Sequence, residues 1–279
     1  MTADKTTAPD RPGPPHGGGE PIRSILHFAA TGGTIISKAL ATAPNTTLLS
    51  EIEPLSTIHL NPKKSPFFPS DIIGDLHYSP RPVPNGIKNR IFTAGLRVLL
   101  EHLDATGGRL LVRGHPHSRY CAPETFPDVP LLNDLLGQIA PVLSIVTVRQ
   151  PISSYISASK KGWLRYQPAT YDEYCARYLK FLDDHKDLPV HRYEDFVRSP
   201  QSVMEKMCAD LQLPMPADFE ALIGLFVVSG DSGRKGGKIA PRPAREVPEE
   251  LVQAVGTSEN HKVLCARLGY DGSARELPP

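Results

Sequence analysis

Four stretches of this chain carry groups able to bind an anion or take up a proton. Thr31-Gly32-Gly33-Thr34 is a glycine turn with hydroxyls on both sides. Glycines let a ligand approach the backbone, and the free N–H groups and dipole of a following helix favour negative charge. Close packing alone also selects glycine at such a turn. Arg149 precedes Ser157 by two helical turns, so a planar guanidinium and a hydroxyl could grip one phosphate from two sides. Arg113-Gly114-His115-Pro116-His117 joins a cation to two imidazoles able to accept a proton near neutral pH. Ser229 to Lys238 combines flexible glycines with Arg234, Lys235 and Lys238, as in a flap over an anionic ligand or in a solvated linker.

The flanking patterns place these groups on elements. Ser24 to Ala29 reads as a short buried strand, and Ile35, Ile36, Ala39, Leu40 and Ala43 recur at helical spacing until Pro44-Asn45, so the glycine turn joins a strand to a helix. Leu48 to Glu51 predicts a second strand, followed by a proline-rich stretch from Pro54 to Pro84 with the character of an insertion or lid. Ile87 to Leu103 has one apolar helical face, and Gly107-Gly108 stops that helix before a strand over Arg109 to Arg113. Pro141 to Val148 is the most strand-like run, and Pro151 opens the helix after it. Tyr171, Tyr174, Cys175, Tyr178, Leu179 and Leu182 predict an amphipathic helix whose aromatics are core. A strand over Pro189 to Tyr193 and a helix through Val203, Met207 and Leu211 complete the pattern. Strands and helices alternate, and the strands read as buried on both faces. This predicts an α/β fold, a doubly wound parallel sheet flanked by helices, with ligands at the carboxyl ends of the strands.

Whole-chain properties narrow the function. The chain has 279 residues, is 40% hydrophobic and has a formal net charge of +1, so a sizeable core is expected and any anion site must be local. Nucleic acid is not an expected partner. Residues 1–21, rich in Pro and Gly, are expected to be a disordered tail, and 22–279 a single domain. Cys121, Cys175, Cys208 and Cys265 are too dispersed for a C-x-x-C site and read as reduced thiols. No metal site is expected, and no apolar run is long enough for a membrane span. A cytoplasmic location is the default; oligomeric state is not readable. A Walker A loop needs lysine directly after its last glycine, and Gly33 is followed by Thr34.

Together these segments resemble the sulfotransferases that use 3'-phosphoadenosine 5'-phosphosulfate (PAPS), in the family's order from about Ile22 to Lys238. Thr31-Gly32-Gly33-Thr34 is similar to the family's K/R-S-G-T-T loop on the 5'-phosphosulfate, and Arg149 with Ser157 to its arginine–serine pair on the 3'-phosphate. Tyr193-Glu194-Asp195-Phe196 resembles its Y-E-D segment, whose tyrosine lies near the nucleotide; Arg234-Lys235-Gly236 resembles its late R-K-G loop, and Arg113-Gly114-His115 its acceptor-side base motif. The resemblance implies a P-loop nucleoside-triphosphate-hydrolase-like sulfotransferase fold, PAPS as cosubstrate without a metal, and transfer to a hydroxyl on a carbohydrate, lipid or small metabolite. It implies His115 as general base, while the residues themselves leave His117 and Glu51 open as alternatives. The family's lysine or arginine falls at Ala30, which leaves open which cation supplies that charge, with Lys38 and Arg113 as the candidates. The stretch Pro54 to Pro84 and the loop after His117 are expected to frame the acceptor. Two other readings stay open: a P-loop phosphotransferase or kinase, and a nucleotide-binding relative without catalysis.

Overall fold

The structure, a computed structural model, describes residues 19–58, 60, 68–123, 129–228, 239–241 and 246–274. β1 (Ile22–His27), α1 (Gly33–Ala41) and β2 (Thr46–Ile52) come first, then α2 (Ile72–His77), α3 (Asn85–Thr106) and β3 (Arg109–Gly114). α4 (His117–Tyr120) and α5 (Leu132–Leu136) precede β4 (Val142–Val148); α6 (Pro151–Lys160) and α7 (Tyr171–Asp184) precede β5 (Val190–Arg192). α8 (Tyr193–Arg198), α9 (Pro200–Asp210), α10 (Phe219–Leu222), α11 (Glu249–Thr257) and α12 (Glu259–Leu268) follow. The five strands form a parallel sheet in the order β2-β3-β1-β4-β5.

Alternation along the strands supplies both layers. Ile25, Leu111 and Ile145 pack on α1, α8 and α9 through Ile36, Leu40, Phe196 and Met204. Their neighbours point the other way: Ile22, Leu110 and Val112 meet Leu96, Leu100 and Leu136 of α3 and α5, while Leu26, Val146 and Val148 meet α6 and α7. Helices therefore cover both faces, as the two-sided burial of the strands predicts. Because α1 leaves β1 to one face and the helices after β3 and β4 leave to the other, the carboxyl end of β1 is a topological switch point, where open α/β sheets bind ligands.

Local signals account for the boundaries. Gly107 closes α3 in the left-handed region at φ 68, and its N–H bonds back to Asp104. Pro151 opens α6, where the Gln150 side chain accepts the Ser153 N–H at 2.7 Å. β1 starts two residues before the expected Ser24 and ends at His27, because the Phe28 carbonyl already accepts the Thr31 N–H and hydroxyl. β5 stops at Arg192, and Tyr193 opens α8 instead of closing the strand. The proline-rich stretch contains a short helix, α2, whose Asp71 cap accepts the Gly74 N–H at 3.0 Å. The tyrosine face of α7 is core: Tyr171, Tyr174 and Tyr178 are buried, and Tyr178 stacks on Phe28 at 4.5 Å. All four cysteines are buried free thiols, and among the described residues no helix is long and apolar enough to cross a membrane.

Candidate active site

The glycine turn sits at the switch point. Ala30 and Gly32 take φ 60 and 88, so the chain reverses within two residues before α1 begins. A left-handed alanine costs about 1 kcal/mol or more. Gly32 caps α1 without a side-chain bond, and the first turn of the helix holds no acid. Both glycines are also sterically required: a Cβ on Gly32 would lie 2.2 Å from the Tyr193 ring, and one on Gly33 2.4 Å from the His27 ring. Packing against these two rings alone requires glycine at both positions.

Sheet order brings an arginine to each side of this turn. Arg113, the penultimate residue of β3, is fully buried and donates to Thr34 Oγ1 at 2.7 Å. Its other terminal nitrogen pairs with Glu51 Oε1 at 2.8 Å. Glu51 reaches it from β2 at φ 58, where a register shift between Leu49 and Ile52 interrupts the ladder with β3. On the β4 side, Arg149 donates to the Ala30 carbonyl at 3.3 Å, and its guanidinium carbon lies 4.8 Å from the Tyr193 ring centroid. Tyr178 Oη accepts the Arg149 N–H at 3.1 Å, and Glu194 Oε1 accepts the Gln150 N–H at 3.1 Å. Tyr270 in turn donates to Glu194 Oε2 at 2.7 Å. The Y-E-D segment therefore braces the loop that carries Arg149.

Around the turn several buried polar atoms meet no hydrogen-bond partner among the described residues: Nε of Arg149, Nε2 of Gln150, Oγ1 of Thr147 and Nε2 of His27. His27 and Thr147 are register partners on β1 and β4. A buried unmade hydrogen bond costs about 1–3 kcal/mol, so these atoms have hydrogen-bonding capacity that a polar ligand or waters could satisfy.

Ser157 lies two turns into α6 and back-bonds to the Ser153 carbonyl at 2.9 Å. Lys38 is buried in α1. Arg234, Lys235 and Gly236 lie outside the described residues.

His115 follows β3 directly. Its Nδ1 lies 2.8 Å from Ser118 Oγ, whose hydroxyl donates to Ser56 at 2.6 Å. A tautomer with the proton on Nδ1 satisfies this contact and leaves on Nε2 the lone pair a base needs. His117, the first residue of α4, is a weaker base: burial foremost, then the charges of His115, Arg113, Arg165 and Lys161, push its pKa down to about 3. Glu51 is bound to Arg113 by one oxygen.

A cavity of about 30 Å³ beside His115 is bordered by His27, Glu53, Arg119 and His185. Burial raises the Glu53 carboxyl to about 7, against the pull of Arg119 and of the Leu55 N–H. His27, Glu53, Ser56 and Ser118 were not singled out from sequence. His27 is the only polar side chain in Ile25 to Ala29, a signal available at that stage; Glu53 and the serines become visible only when β2 and β3 are paired.

No protein-family model and no curated protein matches the chain. Among solved structures it is similar to the sulfotransferase domain of the Synechococcus olefin synthase, at 17% identity over 92% of this chain and 98% of that one, TM-score 0.49. It is also similar to the sulfotransferase domain from the curacin biosynthetic pathway (15% identity, 90% of this chain, 98% of that one, TM-score 0.46). A third is the sulfotransferase from Alicyclobacillus acidocaldarius (17% identity, 90% of this chain, 97% of that one, TM-score 0.45). All three are sulfotransferases or domains of that kind.

Proposed function

We propose that this chain is a sulfotransferase that moves the sulfuryl group of PAPS to a hydroxyl acceptor. The observation that carries this reading is the convergence of Arg113 and Arg149, from the strands on either side of β1, on one glycine turn at a helix start. The unpartnered donors on Arg149 and Gln150 fit phosphate oxygens, and the start of α1 adds backbone N–H groups beside them.

In this reading Gly32, Gly33 and Thr34 hold the 5'-phosphate, and Arg149 with Ser157 holds the 3'-phosphate beside Tyr193. Arg234, Lys235 and Gly236 would add to the nucleotide site. Arg113 stands in for the cation absent at Ala30: its contact with Thr34 puts its charge at the first turn of α1, and Glu51 fixes its orientation. Lys38 is the second candidate for that charge. His115 Nε2 takes the acceptor's hydroxyl proton as the acceptor oxygen bonds to sulfur. The bond from sulfur to the bridging oxygen breaks, and the 3',5'-bisphosphate leaves with that electron pair. By analogy with phosphoryl transfer, placement and charge compensation do most of the work.

A kinase reading is disfavoured because Thr34, where a Walker lysine would stand, is bonded to Arg113. The test is transfer of labelled sulfate from PAPS to a panel of alcohols. His115→Ala should spare nucleotide binding and lower turnover roughly a hundredfold. Unchanged turnover removes His115 from the role.

A further inference from the structure

The side of the site beyond His115 holds a second set of groups that the transfer chemistry does not use. His117 packs between His115, with ring centroids 5.2 Å apart, and Trp163, whose ring centroid lies 4.8 Å away and whose plane is nearly perpendicular. It is 7% exposed, and neither of its ring nitrogens has a hydrogen-bond partner among the described residues. The face of Trp163 carries Lys161, whose ammonium lies 4.6 Å from the ring centroid. Arg165 donates to the Ile58 carbonyl at 3.2 Å, and its own N–H bonds to the Cys121 carbonyl at 3.1 Å. The segment from 161 to 165 is thereby tied to the loop after β2 and to the end of α4, the two walls expected to frame the acceptor.

Among the described residues this wall carries two cations. Lys161 and Arg165 are exposed, and the charges that act on His117 are those of His115, Arg113, Arg165 and Lys161. Among the described residues, Glu51 is bound to Arg113 and Glu53 borders the cavity with Arg119. An aromatic face, a buried imidazole with unmet donor and acceptor capacity, and two cations at the rim make a site for a small anionic molecule with a carbon body.

We propose that this wall is the acceptor subsite and that the acceptor is an alcohol that also bears a carboxylate. Lys161 and Arg165 hold the carboxylate, Trp163 covers the carbon chain, and His117 hydrogen-bonds an oxygen and steers the hydroxyl toward His115. A lysine ammonium and an arginine guanidinium each form charge-assisted hydrogen bonds to a carboxylate, and the aromatic face beside them suits its carbon chain. The inference rests on the sulfuryl-transfer reading.

Trp163 is the single tryptophan of the chain, so its emission reports this wall directly, without turnover. The full chain would be titrated with 3-hydroxybutyrate and, in parallel, with the neutral 3-hydroxybutyramide. The expected result is a saturable change with the carboxylate at a concentration about tenfold or more below that needed for the amide. The double variant Lys161→Gln, Arg165→Gln, both at exposed positions, should abolish that preference and leave the amide response unchanged. Equal responses to the two ligands, no saturable response to the carboxylate, or a preference that survives the double variant overturns the proposal. Binding of 3',5'-bisphosphoadenosine is measured calorimetrically on the same samples. Its absence would overturn the sulfuryl-transfer reading; its presence, with no carboxylate preference at Trp163, would overturn this inference alone.

Discussion

Arg149 offers the sharpest mutational test, because its two possible duties give opposite results with two nucleotides. In the structure its guanidinium braces the Ala30 carbonyl at 3.3 Å and lies over Tyr193 at 4.8 Å, while its Nε is a buried donor without an acceptor among the described residues. If that donor and the charge serve a 3'-phosphate, Arg149→Ala removes charge-assisted bonds worth about 1.5–3 kcal/mol. The dissociation constant of 3',5'-bisphosphoadenosine should then rise by roughly tenfold to 150-fold. Adenosine 5'-monophosphate lacks the 3'-phosphate, and its affinity should change by less than about threefold. Calorimetric titration of both nucleotides into wild type and variant gives the ratio, from which any general loosening of the turn cancels. An equal loss for both nucleotides would refute the phosphate role and make Arg149 a brace for the Ala30 turn alone.

Two further outcomes follow from packing and charge. Gly32→Ala forces a Cβ to within 2.2 Å of the Tyr193 ring at φ 88, and should lower stability by about 2–4 kcal/mol in urea denaturation. Gly95→Ala, in the exposed interior of α3 with nothing near its Cβ, should raise it by about 0.5–1 kcal/mol. Glu53, with its pKa raised to about 7, binds its proton more tightly folded than unfolded, so its contribution is fully present below the ordinary glutamate range and is lost as pH rises through about 7. Glu53→Gln should therefore gain about 2 kcal/mol relative to wild type between pH 5 and pH 8; a pH-independent difference would contradict the assignment.

Much of this architecture is legible in the residues themselves. β1, β3 and β4 are buried on both faces, Gly107 marks the end of α3, and Pro151 the start of α6, so the alternation of strands and helices can be read directly. Strand order cannot, and the site depends on it. Only when β3 and β4 flank β1 do Arg113 and Arg149 meet the same turn. The partnership of Arg113 with Glu51 needs a bulge in β2 and a left-handed glutamate, neither of which has a local signature. Tyr193 reaches Gly32 across most of the chain, so the steric need for that glycine is a tertiary fact. His27 lies inside an apolar run and reads as core, because nothing in sequence shows that its Nε2 ends without a partner beside the turn. The helix α2 was hidden by the prolines around it.

The central claim is that the turn after β1 is the 5' half of a site built for 3',5'-bisphosphoadenosine, with Arg149 on the far phosphate. Calorimetric titration of the full chain with that nucleotide and with ATP tests it most directly. Binding of 3',5'-bisphosphoadenosine about tenfold or more tighter than ATP is the predicted result. Tighter binding of ATP, or no binding of the bisphosphate, would contradict it.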